Sequence, residues 1–373
     1  MARIFHDGFE TGRPIKTSSG WAHSLWEISS AHYDENRRFI GVQSSSLFGS
    51  SYILRSERTG TITLSSGARI RKSLGQSFLE HYGRVKVYVS SCGTTGHDFI
   101  FFEDAGGSNV LNIRFSRSGS FVNVHLYRQS TLLATCSESF STGTAVRLEW
   151  RILYDDTNGV FELKRNGDTI LSYQGDTRGT GAVEGVGRVG LGMRQNTGTE
   201  GNHVIYFDDY AINDTTGSVN NSWVGPGSIL LLKPKGAGNY TQWTPDSGNN
   251  FARVNEIPYS AAAYVESDTA DQIDTYEMQT LADLGVDTSD PAFNIKAVQH
   301  LMIGRWDEAE TELARVLRLG TTDNTGVAVE ISNAYYRYWD EVFDVNPFDS
   351  QPWDNDDLNN LEAGIKHKEW GGI

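Results

Sequence analysis

The chain has 373 residues, 47 acidic against 32 basic for a formal net charge of -15, with 39 glycines, eight prolines and two cysteines. That length exceeds an ordinary single domain, so two domains with separate cores are expected. No run of about 18 apolar residues exists, which excludes a transmembrane helix. Met1-Ala-Arg-Ile-Phe-His-Asp-Gly-Phe-Glu10 lacks the apolar stretch of a signal peptide and reads as folded sequence. Two cysteines cannot staple a chain this long; Cys92 and Cys136 read as core thiols, with a single bridge left open.

The charge is unevenly placed. Residues 256–373 hold 24 acidic and 7 basic side chains, a net of -17, so residues 1–255 come to +2, the difference between -15 and -17. A change this sharp marks a domain boundary. It also argues against nucleic acid as a partner of the second half, because phosphate binding needs a basic footprint. The acidity suits solubility and repulsion between copies, or an acidic docking face.

In chain order, residues 84–212 alternate with period two. Val85, Val87 and Val89 flank Lys86 and Tyr88; Leu111, Ile113 and Phe115 flank Asn112 and Arg114. Val146, Leu148, Trp150, Ile152 and Tyr154 are separated by Arg147, Glu149, Arg151 and Leu153. One face is apolar and the other mostly charged, as in strands that lie on a core with their backs in water. Asn166-Gly167, between Phe161–Arg165 and Asp168–Tyr173, predicts a hairpin with a type I′ turn. Many short strands with glycine-rich turns predict an all-β fold: a concanavalin A-like jelly-roll sandwich over residues 1–214.

Residues 215–255 read as an ordered connector with a short apolar strand, Ile229 to Leu232, because Trp223, Leu230, Leu231, Tyr240 and Trp243 do not belong in a flexible linker. Residues 256–373 predict a second, smaller β-sandwich, with strands at Phe293–Ile303, Gly326–Ile331 and Tyr335–Val345. Trp306 to Arg318 is ambiguous. Its composition favours helix, whereas the flanking strands and the following Gly-Thr-Thr-Asp turn favour a strand from about Glu312 to Leu319. Asp354 to Glu362 predicts a capped helical turn with Leu358 and Leu361 inward and Gly364 just beyond it.

No catalytic constellation is visible: no glycine-rich phosphate loop, His-Glu-x-x-His, Cys-x-x-Cys or Gly-x-Ser-x-Gly elbow. Nor does any strand carry the close carboxylate pair of a retaining glycosidase; Asp155-Asp156 sits in a turn. The chain is therefore expected to be non-enzymatic, with no catalytic and no cofactor-binding residue. Trp26, Tyr33 and Tyr127 are conceivable sugar platforms, but core packing explains an arbitrary aromatic as well, and no sugar-binding residue is nominated.

Two resemblances carry further expectations. His6-Asp7-Gly8-Phe9-Glu10, followed by Trp21, and Val204-Ile-Tyr-Phe-Asp208-Asp209-Tyr-Ala-Ile212 resemble the first and last strands of many carbohydrate-binding sandwiches, whose termini pair and share a structural Ca²⁺. By that resemblance Glu10 and Asp208 are its side-chain ligands, with carbonyls supplying other oxygens. Leu163–Ile170 and Val186–Gly192 are of the concanavalin A-like, LamG-type pattern. The stretches Ile205–Trp223 and Leu230–Pro245, and the ending from Ala334 to Lys366, resemble structural proteins of tailed bacteriophages. That resemblance implies a virion component on the capsid exterior or tail, assembled in the host cytoplasm, in contact with other virion proteins and as a homo-oligomer. The alternative is a carbohydrate-binding adhesin for host-surface glycans. No cofactor is required in either reading beyond the possible Ca²⁺, and neither involves nucleic acid or membrane insertion.

Overall fold

The computed structural model describes residues 2–11, 16–17, 20–21, 25–28, 38–58, 69–179, 185–194, 202–306, 311–331 and 337–369. The chain is all-β and divides into two units, Met1–Leu230 and Leu231–Ile373. The division falls within the stretch 215–255: its first part belongs to the sandwich and the rest to the second unit.

The first unit contains β1 (Arg3–Asp7), β2 (Glu27–Ile28), β3 (Arg38–Ser44), β4 (Tyr52–Arg58), β5 (Arg69–Phe78), β6 (Glu80–Ser91), β7 (His97–Glu103) and β8 (Asn109–Ser118). It continues with β9 (Phe121–Arg128), β10 (Thr131–Ser141), β11 (Ala145–Leu153), β12 (Gly159–Arg165), β13 (Asp168–Gly175), β14 (Val186–Arg194) and β15 (His203–Asn213). An eight-stranded sheet runs β13-β12-β11-β6-β15-β4-β3, with β1 also paired to β15; a seven-stranded sheet runs β10-β9-β8-β7-β14-β5-β2. Every pairing is antiparallel and the neighbours are mostly non-consecutive, which is the jelly-roll sandwich expected from the alternation.

The inward positions of both sheets form one core. Val85, Val87, Leu148, Trp150 and Ile152 from the first sheet meet Phe99, Phe102, Ile113, Phe115 and Leu191 from the second. Trp150 is fully buried, edge-on to Phe102 at 5.4 Å between ring centroids. Its indole lies over Gly83, its partner in the ladder, and a Cβ there would meet the ring at 2.1 Å. Glycine is thus required at 83 by close approach. The hairpin between β12 and β13 has φ of 53° at Asn166 and 105° at Gly167, both positive as the type I′ turn demands. Cys92 is buried, Cys136 half-buried, and both are free thiols.

The second unit contains β16 (Pro234–Thr241), a short helix α1 (Asn250–Arg253), β17 (Ile273–Met278), β18 (Val298–Gly304), β19 (Thr311–Leu319), β20 (Thr322–Thr325), β21 (Val329–Ile331), β22 (Arg337–Phe343), α2 (Asn355–Asn360) and β23 (Leu361–Lys368). A six-stranded sheet runs β16-β17-β23-β19-β20, with β21 on β19, and β18 pairs with β22. Met302 of β18 packs with Leu313 of β19 and Ile331, joining the two layers. The ambiguous stretch therefore resolves as a strand from Thr311. Ala314, Val316 and Leu317 are buried on both sides of a central strand, and ladder pairing with β23 overrides the local preference for helix.

Two expectations are corrected. Ile229–Leu232 forms no strand: the Ile229 N–H donates to the Asp209 carboxylate at 2.5 Å, and just beyond the run the Lys233 N–H donates to Gln279 Oε1 at 3.1 Å. The helical turn at the end is present, with a reciprocal capping box between Asp354 and Asp357 and with Leu358 and Leu361 buried. Gly364, however, lies inside β23, where a Cβ would come within 1.9 Å of the Asp274 carbonyl oxygen.

Candidate functional site

The outer faces of the two sandwich sheets differ. On the eight-stranded sheet, the segment following β15 lies across the outward side chains. Arg84 donates to the Asp209 and Gly225 carbonyls at 3.2 and 3.1 Å, Lys86 to Ser228 Oγ at 3.0 Å, and the Gly225 N–H to Glu149 Oε2 at 2.8 Å. Trp223 meets Tyr82 edge-on at 5.5 Å, with the Lys164 ammonium 3.7 Å from its ring centroid. Asp209 anchors the strap through Lys86 at 2.6 Å and the Ile229 N–H.

The seven-stranded sheet presents another chemistry. Register places Arg71, Gly190, Phe101, Asn112 and Tyr127 in one row across β5, β14, β7, β8 and β9. Phe101 is fully buried yet takes no part in the sandwich core. It lies on the outer face because Gly190 beside it has no side chain; a Cβ there would meet the ring at 2.0 Å. The Arg69 guanidinium sits 5.4 Å from the Phe101 centroid, and that of Arg114 sits 3.8 Å from the Tyr127 centroid.

On either side of this row stand charged groups. Glu103, opposite Arg188, is 1% exposed and has Arg194, Arg71 and Arg69 at 3.6, 3.7 and 3.9 Å. These distances exceed a hydrogen bond, and both Glu103 oxygens lack a hydrogen-bond partner. Asp98 accepts from Arg114 Nε at 2.8 Å. Asn112 Oδ1, Arg188 Nε and Arg194 Nε are likewise buried without hydrogen-bond partners. Burial pushes the Arg69 and Arg194 guanidiniums below their ordinary value, and for Arg69 repulsion from Arg194 and Arg71 adds to this while Glu103 opposes it. Beside them, His125 bridges Ser116 and Thr135 at 2.9 and 3.0 Å. Unmet polar groups around an aromatic floor are what a polar ligand with an apolar face satisfies.

Of the three aromatic candidates, Tyr127 lies on this face. Trp26 belongs to the core, stacked on Phe9 and donating Nε1–H to Asp7 at 2.7 Å, and Tyr33 falls outside the described residues. The arginines were not singled out from sequence. Arg69-Ile-Arg71 and Arg188…Arg194 do alternate with apolar residues, but only the register brings these strands side by side.

Glu10 and Asp208 meet at one turn. Glu10 Oε1 accepts the Ser51 N–H at 3.2 Å, and Asp208 accepts the Ser50 hydroxyl and the Asp209 N–H. Burial raises Asp208 to about 8, and the charges of Asp209 and Glu10 push the same way; Glu10 is raised to about 7, again mainly by burial. Among the described residues, no group of three or more His, Cys, Asp or Glu side chains is arranged to hold a metal ion. Among the same residues, no helix is long and apolar enough to cross a membrane.

No protein-family model matches the chain, and no curated protein matches it. Among solved structures it is similar to the cellulose-induced protein Cip1, at 16% identity over 60% of this chain and 100% of that one, with a TM-score of 0.40. It is similar to the alginate lyase Aly36B at 14% identity, over 49% of this chain and 85% of that one, with a TM-score of 0.37. Domain 4 of AbnA, a GH43 extracellular arabinanase from Geobacillus stearothermophilus solved with arabinotriose, matches at 15% identity, over 57% of this chain and 93% of that one, with a TM-score of 0.36. The expectation of a non-enzymatic chain is corrected here: two of these three bear enzymes' names, so a sandwich of this kind is no mark of missing catalysis. None of the three is a virion protein, and the tailed-phage reading gains no support from them. The chain is an all-β jelly-roll sandwich followed by a second β unit.

Proposed function

We propose that the protein binds carbohydrate on the outer face of the seven-stranded sheet. The observation that carries this reading is the row Arg71-Gly190-Phe101-Asn112-Tyr127, flanked by Glu103, Arg188 and Arg194 with unmet hydrogen-bonding capacity. Sugars offer an apolar ring face to an aromatic floor and hydroxyls to fixed polar groups around it. The opposite sheet is the poorer candidate, because the strap from Asn213 to Leu230 already engages Arg84, Lys86 and Glu149 at its centre.

A glycan array probed with the purified chain tests the reading. Binding is expected, and substituting Tyr127→Ala together with Asn112→Ala is expected to weaken it by roughly tenfold or more. An array with no binder at millimolar concentration overturns it. Calcium at Glu10 and Asp208 stays part of the proposal as a structural ion. It is supported by two carboxylates facing one turn, both held above their ordinary range.

A further inference from the structure

We infer that Ser116, His125 and Thr135 form a nucleophile, its general base and a positioning residue, and that this relay hydrolyses small acyl esters. The activity goes beyond carbohydrate binding; only the identity of the alcohol part rests on that reading. Ser116 of β8, His125 of β9 and Thr135 of β10 stand on three neighbouring strands, on the outer face that also carries Tyr127. Their neighbours along the strands, Phe115, Val124 and Leu126, point into the core. Ser116 Oγ is 2.9 Å from His125 Nε2, and His125 Nδ1 is 3.0 Å from Thr135 Oγ1. A hydroxyl nucleophile needs this order, a base within reach that a third group orients. With the imidazole hydrogen on Nδ1, Thr135 accepts it and Nε2 accepts the Ser116 hydroxyl. Burial, and then repulsion from Arg114, lower His125 below its ordinary value, which keeps the ring neutral and able to take a proton.

Asn123 completes the constellation. It lies directly opposite Ser116 in the ladder, where facing Cβ atoms are about 4.5–5.5 Å apart. Its Oδ1 accepts the Glu138 N–H at 2.8 Å, at an irregularity of β10 where Glu138 has φ of 52°. That bond leaves Nδ2 as the donor for an oxyanion beside Ser116. Ser116 is 6% exposed, His125 is half-buried and Thr135 is exposed, so the relay opens on the Thr135 side. A nucleophile so deep receives only a small acyl group, of which acetyl is the type. The alcohol part stays outside, near Tyr127, whose ring centroid is 6.4 Å from that of His125. On the carbohydrate reading this alcohol is a sugar hydroxyl. In the first step Ser116 Oγ attacks the ester carbonyl carbon and its proton passes to His125 Nε2. The bond from carbonyl carbon to alcohol oxygen then breaks, and the alcohol leaves with that proton. Water, giving a proton to His125, attacks the acetyl-Ser116 ester in the same way, releasing acetic acid and restoring the hydroxyl. One ester and one water are consumed, and no other reactant is needed.

The test treats the full chain with a fluorophosphonate probe, maps the labelled peptide, and follows hydrolysis of p-nitrophenyl acetate, p-nitrophenyl octanoate and an O-acetylated polysaccharide. The expected result is label on Ser116 and cleavage of the acetate at least about tenfold faster than the octanoate. Ser116→Ala and His125→Gln should each lower acetate release by roughly 100-fold or more. Thr135→Asp should raise the rate and move the acid limb of the pH profile upward, because a carboxylate stabilises the imidazolium; a merely structural Thr135 would move neither. Labelling is read on the unaltered chain, so a variant that fails to fold leaves that readout standing. Hydrolysis that survives Ser116→Ala, or label found elsewhere or nowhere, overturns the activity and leaves glycan binding untouched. Cleavage of the simple acetate without release from the polysaccharide overturns the sugar as the alcohol part. Label on Ser116 with no binder on the glycan array removes the carbohydrate reading alone.

Discussion

The two outer faces of the sandwich begin from the same strand alternation and end differently. On the eight-stranded sheet, Arg84, Lys86, Glu149 and Asp209 find partners in the chain's own strap. On the seven-stranded sheet, Glu103 faces Arg69, Arg71 and Arg194 at 3.6–3.9 Å, beyond hydrogen-bond distance, and Asn112 Oδ1 and Arg188 Nε are buried without a hydrogen bond. A polar face bonded to the chain's own strap is structural, whereas looser pairing leaves polar groups that a ligand could engage. The lesson is that charge on the back of a strand says little until its partners are known.

The largest expected effect breaks the strapped face. Asp209→Ala removes the Lys86 ion pair and the acceptor of the Ile229 N–H, both at a buried position, and should cost about 3–5 kcal/mol in denaturant unfolding. Glycan binding on the other sheet should persist in the folded fraction. A different pattern is expected of Arg188→Gln with Arg194→Gln: a binding loss of about 1.4–2.8 kcal/mol in titration calorimetry, together with a stability cost of about 1–3 kcal/mol because the buried Glu103 carboxylate loses its Arg194 ion pair. Trp223→Ala should destabilise by about 1–2 kcal/mol through lost contact with Tyr82 and Lys164 and leave binding untouched.

The smallest effect sharpens the contrast at the paired first and last strands. Asp208 and Glu10 are raised in the folded state to about 8 and about 7, so the folded chain holds protons that the unfolded chain releases near pH 4. Their contribution is fullest below the unfolded values and is lost as pH rises to about 8. The melting midpoint should therefore fall across that window, and Asp208→Asn should flatten the slope. If the pair holds calcium, added Ca²⁺ should restore the midpoint most at the alkaline end, where both carboxylates are charged; a calcium-insensitive midpoint at pH 8 would remove the ion from the proposal.

Much of the fold was legible because a strand with one wet side writes its orientation into every second residue. Val146 to Ile152 and the Asn166-Gly167 turn needed nothing more. Thr311–Leu319 was harder, since a strand buried on both sides loses alternation and its residues equally suit helix. Ile229–Leu232 misled because the run begins as part of a strap whose Ile229 amide is taken by the distant Asp209 carboxylate. The candidate site was the least legible part. Arg69 and Arg71, Phe101, Asn112, Tyr127, Arg188 and Arg194 come from five strands spread over 126 positions, from residue 69 to residue 194; hairpins join Phe101, Asn112 and Tyr127, but only non-consecutive pairing brings β5 and β14 beside them. Glu10 and Asp208 were visible by resemblance, but the engagement of their oxygens by Ser50, Ser51 and the Asp209 amide was not.

Hydrogen exchange read by mass spectrometry, with and without a saturating glycan selected on the array, tests the central claim most directly. The site proposed here requires added protection in β5, β7, β9 and β14 of the seven-stranded sheet, with β6, β11 and the strap from Asn213 to Leu230 unchanged. Protection confined to the strapped sheet, or to the second unit, would contradict it.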